Sequence, residues 1–172
     1  MRLTFRQGCL IGAAAACSLV IAALLLEQFA SFQSCSLCLL QRYMFIAIAV
    51  VFLIAAWHQP IGYGLYGYGG LLLFLMGIGI AIAARHVWLL HLPVEEQAPC
   101  GPGFEYLMNN YPLFDSLRFI VQGTAECSET RDLFLGLTLP MWSLLGFIGF
   151  FIYSLLLVIP GCFFARKGLT AK

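Results

Sequence analysis

Charge is missing from this chain in three long runs. Residues 7–26, 43–84 and 133–165 span 20, 42 and 33 positions without one Lys, Arg, Asp or Glu. A helix that crosses a bilayer needs about 20 predominantly apolar residues. The first and third runs each hold one crossing. The second holds two, because Trp57-His58-Gln59-Pro60-Ile61-Gly62 supplies a turn in its middle. The expected fold is therefore an all-α membrane protein. It is a four-transmembrane-helix bundle with spans near 8–28, 40–57, 64–84 and 141–164, in one domain covering 1–172. Two loops join the spans on one side, near 29–39 and 85–140.

Composition supports this reading. The chain is 62% hydrophobic and 10% charged, against about 45–50% and about 25% in soluble domains. That balance excludes a soluble globular domain and a disordered chain. A net charge of +1 excludes the basic field expected of a nucleic-acid binder. The first apolar run continues to Leu26, longer than a signal-peptide core, so it reads as a retained span.

Arginine and lysine set the expected orientation. Arg2, Arg6, Arg166, Lys167 and Lys172 lie in the two tails, which four spans place on one side of the membrane. Both termini are expected in the cytoplasm and both loops outside. Tyr63, Tyr66 and Tyr68 read as an interfacial belt, and the glycines of the third span (Gly64, Gly67, Gly69, Gly70, Gly77, Gly79) as points of close helix packing. In the long loop, Phe114, Leu117, Ile120 and Val121 fall at helical spacing. They suit a short interfacial helix, or residues that pack the loop onto the bundle.

The 7 cysteines divide by place. Cys9, Cys17 and Cys162 lie within or beside spans and read as small apolar residues. Cys35, Cys38, Cys100 and Cys127 all fall outside, where an even number of cysteines in an oxidising compartment reads as disulfides. Cys35-Ser36-Leu37-Cys38 has the spacing of thiol–disulfide oxidoreductases. A structural bridge would close little chain and gain little. A zinc site would call for four ligands, with His86 and His91 the only outside histidines, and no resident metal is expected.

Cys38 precedes or opens the second span, at the positive end of its helix dipole, and Arg42 lies one turn on. Both arrangements favour a thiolate. A cation at the edge of hydrocarbon is costly, so Arg42 reads as a stabiliser of an anion, either the Cys38 thiolate or a reduced ligand, rather than as a side chain snorkelling to the headgroups. Pro99, Gly101 and Pro102 hold Cys100 in an extended, accessible strip, whereas Glu126 and Glu129 disfavour a thiolate at Cys127. Two disulfides at one membrane face suggest a relay. Electrons enter from a soluble thiol protein and leave into a lipid-dissolved two-electron acceptor, a quinone.

Three features together resemble the DsbB family. They are Cys35-Ser-Leu-Cys38-Leu-Leu-Gln-Arg42, the lone Cys100 and Cys127, and Phe134-Leu-Gly-Leu-Thr-Leu-Pro-Met-Trp142 leading into the last span. The resemblance covers nearly the whole chain. It implies a bacterial inner-membrane thiol:quinone oxidoreductase that reoxidises a periplasmic DsbA-like thioredoxin-fold partner and reduces ubiquinone or menaquinone. By that resemblance Cys35 and Cys38 face the quinone, with Cys38 as the thiolate at its ring. Arg42 stabilises the reduced quinone, and His91 lies near it, with His86 as the competing histidine. Cys100 forms the mixed disulfide with the partner, and Cys127 relays to Cys35. Two other readings remain. A vitamin K epoxide reductase-like protein would carry its CxxC on the last helix of the bundle, and a scaffold with structural disulfides would show no turnover.

Overall fold

The computed structural model describes residues 5–30, 35–60, 63–91, 106, 109–122, 133–134 and 136–169, with backbone alone beyond Val158. Four long helices carry the fold: α1 (Phe5–Ala30), α2 (Ser36–His58), α3 (Tyr63–Leu90) and α5 (Leu139–Leu169). Each is long and apolar enough to cross a membrane. A short helix α4 (Leu113–Gln122) and a two-strand ladder, β1 (Leu133–Phe134) with β2 (Leu137–Thr138), precede α5. Gly136, at φ 83°, makes the tight turn between the strands. The four-helix transmembrane architecture is as the uncharged runs require.

The helices outrun the expected spans at both ends. Helical hydrogen bonding does not stop at the first charge, so α3 carries Arg85 and His86 within its last turns and ends at Leu90 rather than 84. Likewise α2 begins at Ser36, four residues before the expected span. Its other end is set by Gln59, left-handed at φ 44° and ψ 57°, whose N–H bonds the Ala55 carbonyl at 3.0 Å. Pro60 follows and cannot continue the helix.

α1 packs along α2, α2 along α3, and α3 along α5. Lipid is as apolar as leucine, so the helices gain little from hiding apolar surface and depend on close fit. Large side chains such as Leu10, Ile21, Phe74 and Leu156 accordingly face outward. Inside, the rings of Phe45 and Phe147 stack at 4.0 Å between centroids, with Phe52 and Phe150 beside them. A β-carbon at Gly79 would stand 2.5 Å from the Phe147 ring, and one at Gly69 2.8 Å from Val158. These two glycines admit α5. Gly67, Gly70 and Gly77 meet nothing within 4 Å, which corrects the expectation that all the α3 glycines serve packing.

Of the span cysteines, Cys9 is buried in the core and Cys17 is exposed. The side chain of Cys162 lies outside the described residues. Among the described side chains of α4, Ser116 and Ile120 are buried, Leu117 is half-buried, and Phe114 and Phe119 are exposed, while the side chain of Val121 lies outside the described residues. The inward face thus runs through Ser116 and Ile120, and Phe114, expected to share a face with Ile120, points away.

Candidate functional site

The start of α2 is built around a sulfur. Cys35 is extended at φ −70° and ψ 165° and occupies the position before the first helical residue, which serine, threonine or aspartate commonly fills. Its Sγ accepts a hydrogen bond from the Cys38 N–H at 3.4 Å, and its carbonyl accepts from Leu39 N–H at 3.1 Å. The three-residue offset then brings Cys38 one turn up, on the same side. The two sulfurs stand 3.1 Å apart, and a bond between them needs an approach to about 2.05 Å. The sequence reading gave the helix N-terminus to Cys38. The structure gives the cap to Cys35 and places Cys38 inside the first turn.

A third polar group reaches the pair from α3. His86 is fully buried, and its Nε2 lies 3.6 Å from Cys35 Sγ. Its other ring nitrogen, Nδ1, is 3.2 Å from the side-chain nitrogen of Gln41, which is itself buried on α2. With the Gln41 amide donating to Nδ1, Nε2 carries the ring proton and presents it to the sulfur. Two donors then converge on Cys35. Ile120 of α4 and Leu37 close over Cys35, with Leu40, Ile82 and Leu89 around them. Cys35 is 3% exposed, whereas Cys38 is half-buried.

Arg42, one turn beyond Cys38, donates from Nη2 to Glu27 Oε2 of α1 at 2.8 Å. Its Nε is buried and has no hydrogen-bond partner among the described residues. A guanidinium carries five N–H donors. Arg42 therefore keeps a donor in reserve where water is scarce, beside the more open of the two cysteines.

The structure thus brings Cys35, Cys38 and Arg42 to one end of the bundle. His91, the residue after α3, lies at that same end of the bundle. It is exposed and donates from Nδ1 to the Val87 carbonyl at 2.8 Å. Of the two histidines weighed from sequence, His86 is the one that touches the pair. Cys100 and Cys127 lie outside the described residues. Sequence reasoning missed Glu27 and Gln41. Glu27 was visible as the one acid before position 95. Gln41 left no signal beyond an amide within an apolar helix.

Cys35, Cys38 and His86 offer three donor atoms within 4.8 Å of one another. That is one ligand short of a closed structural zinc site. As a thiol pair, the arrangement can make and break a disulfide next to a histidine proton and an arginine donor.

Comparisons with known proteins agree with this chemistry. The family model described as "Disulfide bond formation protein DsbB" matches residues 5–157. A protein of Methylococcus capsulatus named Disulfide bond formation protein B is 44% identical over 141 residues, covering 81% of this chain and 86% of the relative. One of the same name from Chromohalobacter salexigens is 40% identical over 161 residues, covering 92% and 89%. Another, from Methylobacillus flagellatus, is 41% identical over 152 residues, covering 88% and 92%.

Proposed function

The chain belongs to the DsbB family of disulfide bond formation proteins, and from that membership we propose that it is a thiol:quinone oxidoreductase of the bacterial inner membrane. It takes two electrons from a reduced DsbA-like partner in the periplasm and passes them through two disulfides to a membrane quinone. The DsbA–DsbB–quinone system keeps the bacterial periplasm oxidising.

Each protein step is thiolate attack on a disulfide sulfur. A partner thiolate attacks Cys100 of a Cys100–Cys127 disulfide and releases Cys127. Cys127 attacks Cys35 of a Cys35–Cys38 disulfide and releases Cys38. The second partner thiolate attacks the partner sulfur of the mixed disulfide and releases Cys100. Cys100 then attacks Cys127 of the Cys127–Cys35 disulfide, re-forms Cys100–Cys127 and frees Cys35, so that the electron pair is held on Cys35 and Cys38. His86 Nε2 and the Cys38 N–H orient Cys35 Sγ from opposite elements. A quinone supplies an acceptor for two electrons and two protons. Arg42, with Cys38, would hold it.

The observation that carries this reading is the reserved Arg42 Nε, buried and without an acceptor among the described residues, one turn from the half-buried Cys38. An anionic or carbonyl oxygen is the ligand such a donor accommodates. The CxxC opens α2, not the last helix, which separates this chain from the vitamin K epoxide reductase-like arrangement.

Reconstituted with a reduced thioredoxin-fold dithiol protein and ubiquinone or menaquinone, the chain should form one quinol per dithiol oxidised. Absence of electron transfer with both quinones returns it to the scaffold reading. In spheroplasts, a membrane-impermeant thiol reagent should label Cys100 and Cys127 after reduction, while a tag after Lys172 stays protected. Cys127→Ala should accumulate a reductant-sensitive complex with the partner through Cys100, and Cys100→Ala should not. The reverse pattern exchanges the two roles.

A further inference from the structure

We propose that the reduced Cys35–Cys38 pair, with His86, binds one thiolate-seeking divalent cation of the zinc type, and that the bound ion takes the pair out of redox use. The coordination itself follows from the geometry. Only its effect on turnover rests on the redox reading above.

The donor set is the first argument. Two cysteine sulfurs and one imidazole nitrogen are soft and borderline ligands that favour zinc and its congeners over hard cations. A tetrahedral zinc with bonds of about 2.3 Å to sulfur and about 2.05 Å to nitrogen sets its thiolates about 3.8 Å apart. The same bonds set thiolate and imidazole nitrogen about 3.6 Å apart. Cys35 Sγ and His86 Nε2 are already at 3.6 Å. The half-buried Cys38 must rotate to widen the sulfur pair from 3.1 Å and to set its sulfur about 3.6 Å from His86 Nε2, from which it already lies within 4.8 Å.

The surroundings are the second argument. A ligating histidine almost always has its other ring nitrogen held by a fixed partner. His86 Nδ1 has Gln41 at 3.2 Å. Rotating that amide by 180° exchanges nitrogen for oxygen, so it can accept from Nδ1–H and free Nε2 for the metal. The fourth position stays open on the Cys38 side, since Leu37, Ile120 and the buried His86 close the other sides.

Binding balances without an oxidant. The two thiols release two protons, and the ion takes both thiolates and the neutral imidazole. No disulfide can form while both sulfurs are metal-bound, so the ion holds the pair reduced until it leaves. Oxidised protein has no site.

The test uses the full-length chain in detergent with Cys100 and Cys127 both changed to Ala, so that the second dithiol cannot contribute. Reduced protein should take up one Co²⁺ per chain, with sulfur-to-cobalt absorption in the near ultraviolet and tetrahedral bands in the visible. Zn²⁺ should displace it, and oxidised protein should show neither feature. His86→Ala should weaken binding by more than about tenfold, with His91→Ala unchanged. X-ray absorption of the zinc form with His86 intact should find two sulfurs and one imidazole nitrogen, a readout that does not depend on the His86 variant folding. Absent bands, bands insensitive to Cys38→Ser, or a zinc shell without imidazole each overturn the proposal. Should the chain fail to reduce quinone yet bind Co²⁺ in this way, the redox reading falls and the site stands. Should it reduce quinone without slowing under Zn²⁺, the claimed consequence for turnover falls.

Discussion

A histidine stands at each end of the α2–α3 pair, and the two are held very differently. At one end His58 is exposed and meets the Tyr68 hydroxyl at 2.6 Å, among Trp57 and Tyr63, which are almost wholly exposed. At the other end His86 is sealed from solvent between Gln41 and Cys35. The exposed ring can exchange its partner for water or a headgroup. The buried ring cannot, because an unpaired polar group away from water costs about 1–3 kcal/mol. The difference teaches where the chain has committed its polar groups. One end anchors the protein at an interface. The other fixes a sulfur.

The comparison predicts a graded set of outcomes. Cys35→Ser or Cys38→Ser should reduce dithiol oxidation to background, because no disulfide can form. The helical signal in circular dichroism should persist, since the phenylalanine core lies elsewhere. Next, Arg42→Leu should raise the apparent quinone KM by about 10- to 100-fold, the equivalent of about 1.5–3 kcal/mol for a hydrogen bond involving a charged group. Arg42→Lys should fall between, keeping the charge but losing the planar fork. Unchanged quinone kinetics in Arg42→Leu would make the residue a membrane-edge anchor like its counterparts at the far end.

Smaller effects separate the two histidines directly. His86→Ala strands Gln41 in the bundle and should cost about 1–3 kcal/mol in detergent unfolding. His58→Ala should stay within about 0.5 kcal/mol, as surface substitutions do. Equal losses would erase the distinction between the two ends. The smallest change is expected for Glu27→Gln. Its ion pair with Arg42 is partly exposed, with side chains 17% and 39% accessible, so about 0–1 kcal/mol is at stake.

The fold was largely legible from sequence for one reason. Charge is so costly in hydrocarbon that its absence marks the spans, and the Pro60 turn divides the long run. The chemistry was legible where it is local. Cys35, Cys38 and Arg42 sit within eight residues, and helix geometry relates them without knowledge of the tertiary fold. What failed was contact between distant segments. Cys35 and His86 are 51 residues apart, and Glu27 and Arg42 are 15 apart. No period in the sequence encodes which face of α3 meets α2. His86 was also misplaced by treating Arg85 as the end of a span, whereas the helix continues to Leu90 and carries His86 inward. Cys35 and Cys38 exchanged structural parts for a similar reason. A cap is a backbone conformation, and CxxC fixes only the spacing of its sulfurs.

That cap makes the first turn of α2 a spring coupled to the oxidation state of one atom. Cys35 Sγ holds the Cys38 N–H as the helix begins. Loss of an oxygen cap costs a helix about 1 kcal/mol, and a sulfur, the weaker acceptor, contributes less. If a sulfur from another segment draws Cys35 Sγ outward, the N–H is left without its acceptor and the turn loosens. Closing the local bond to Cys38 restores it. In the proposed relay, an exchange halted at Cys35 would leave that N–H without its acceptor until the local bond closes.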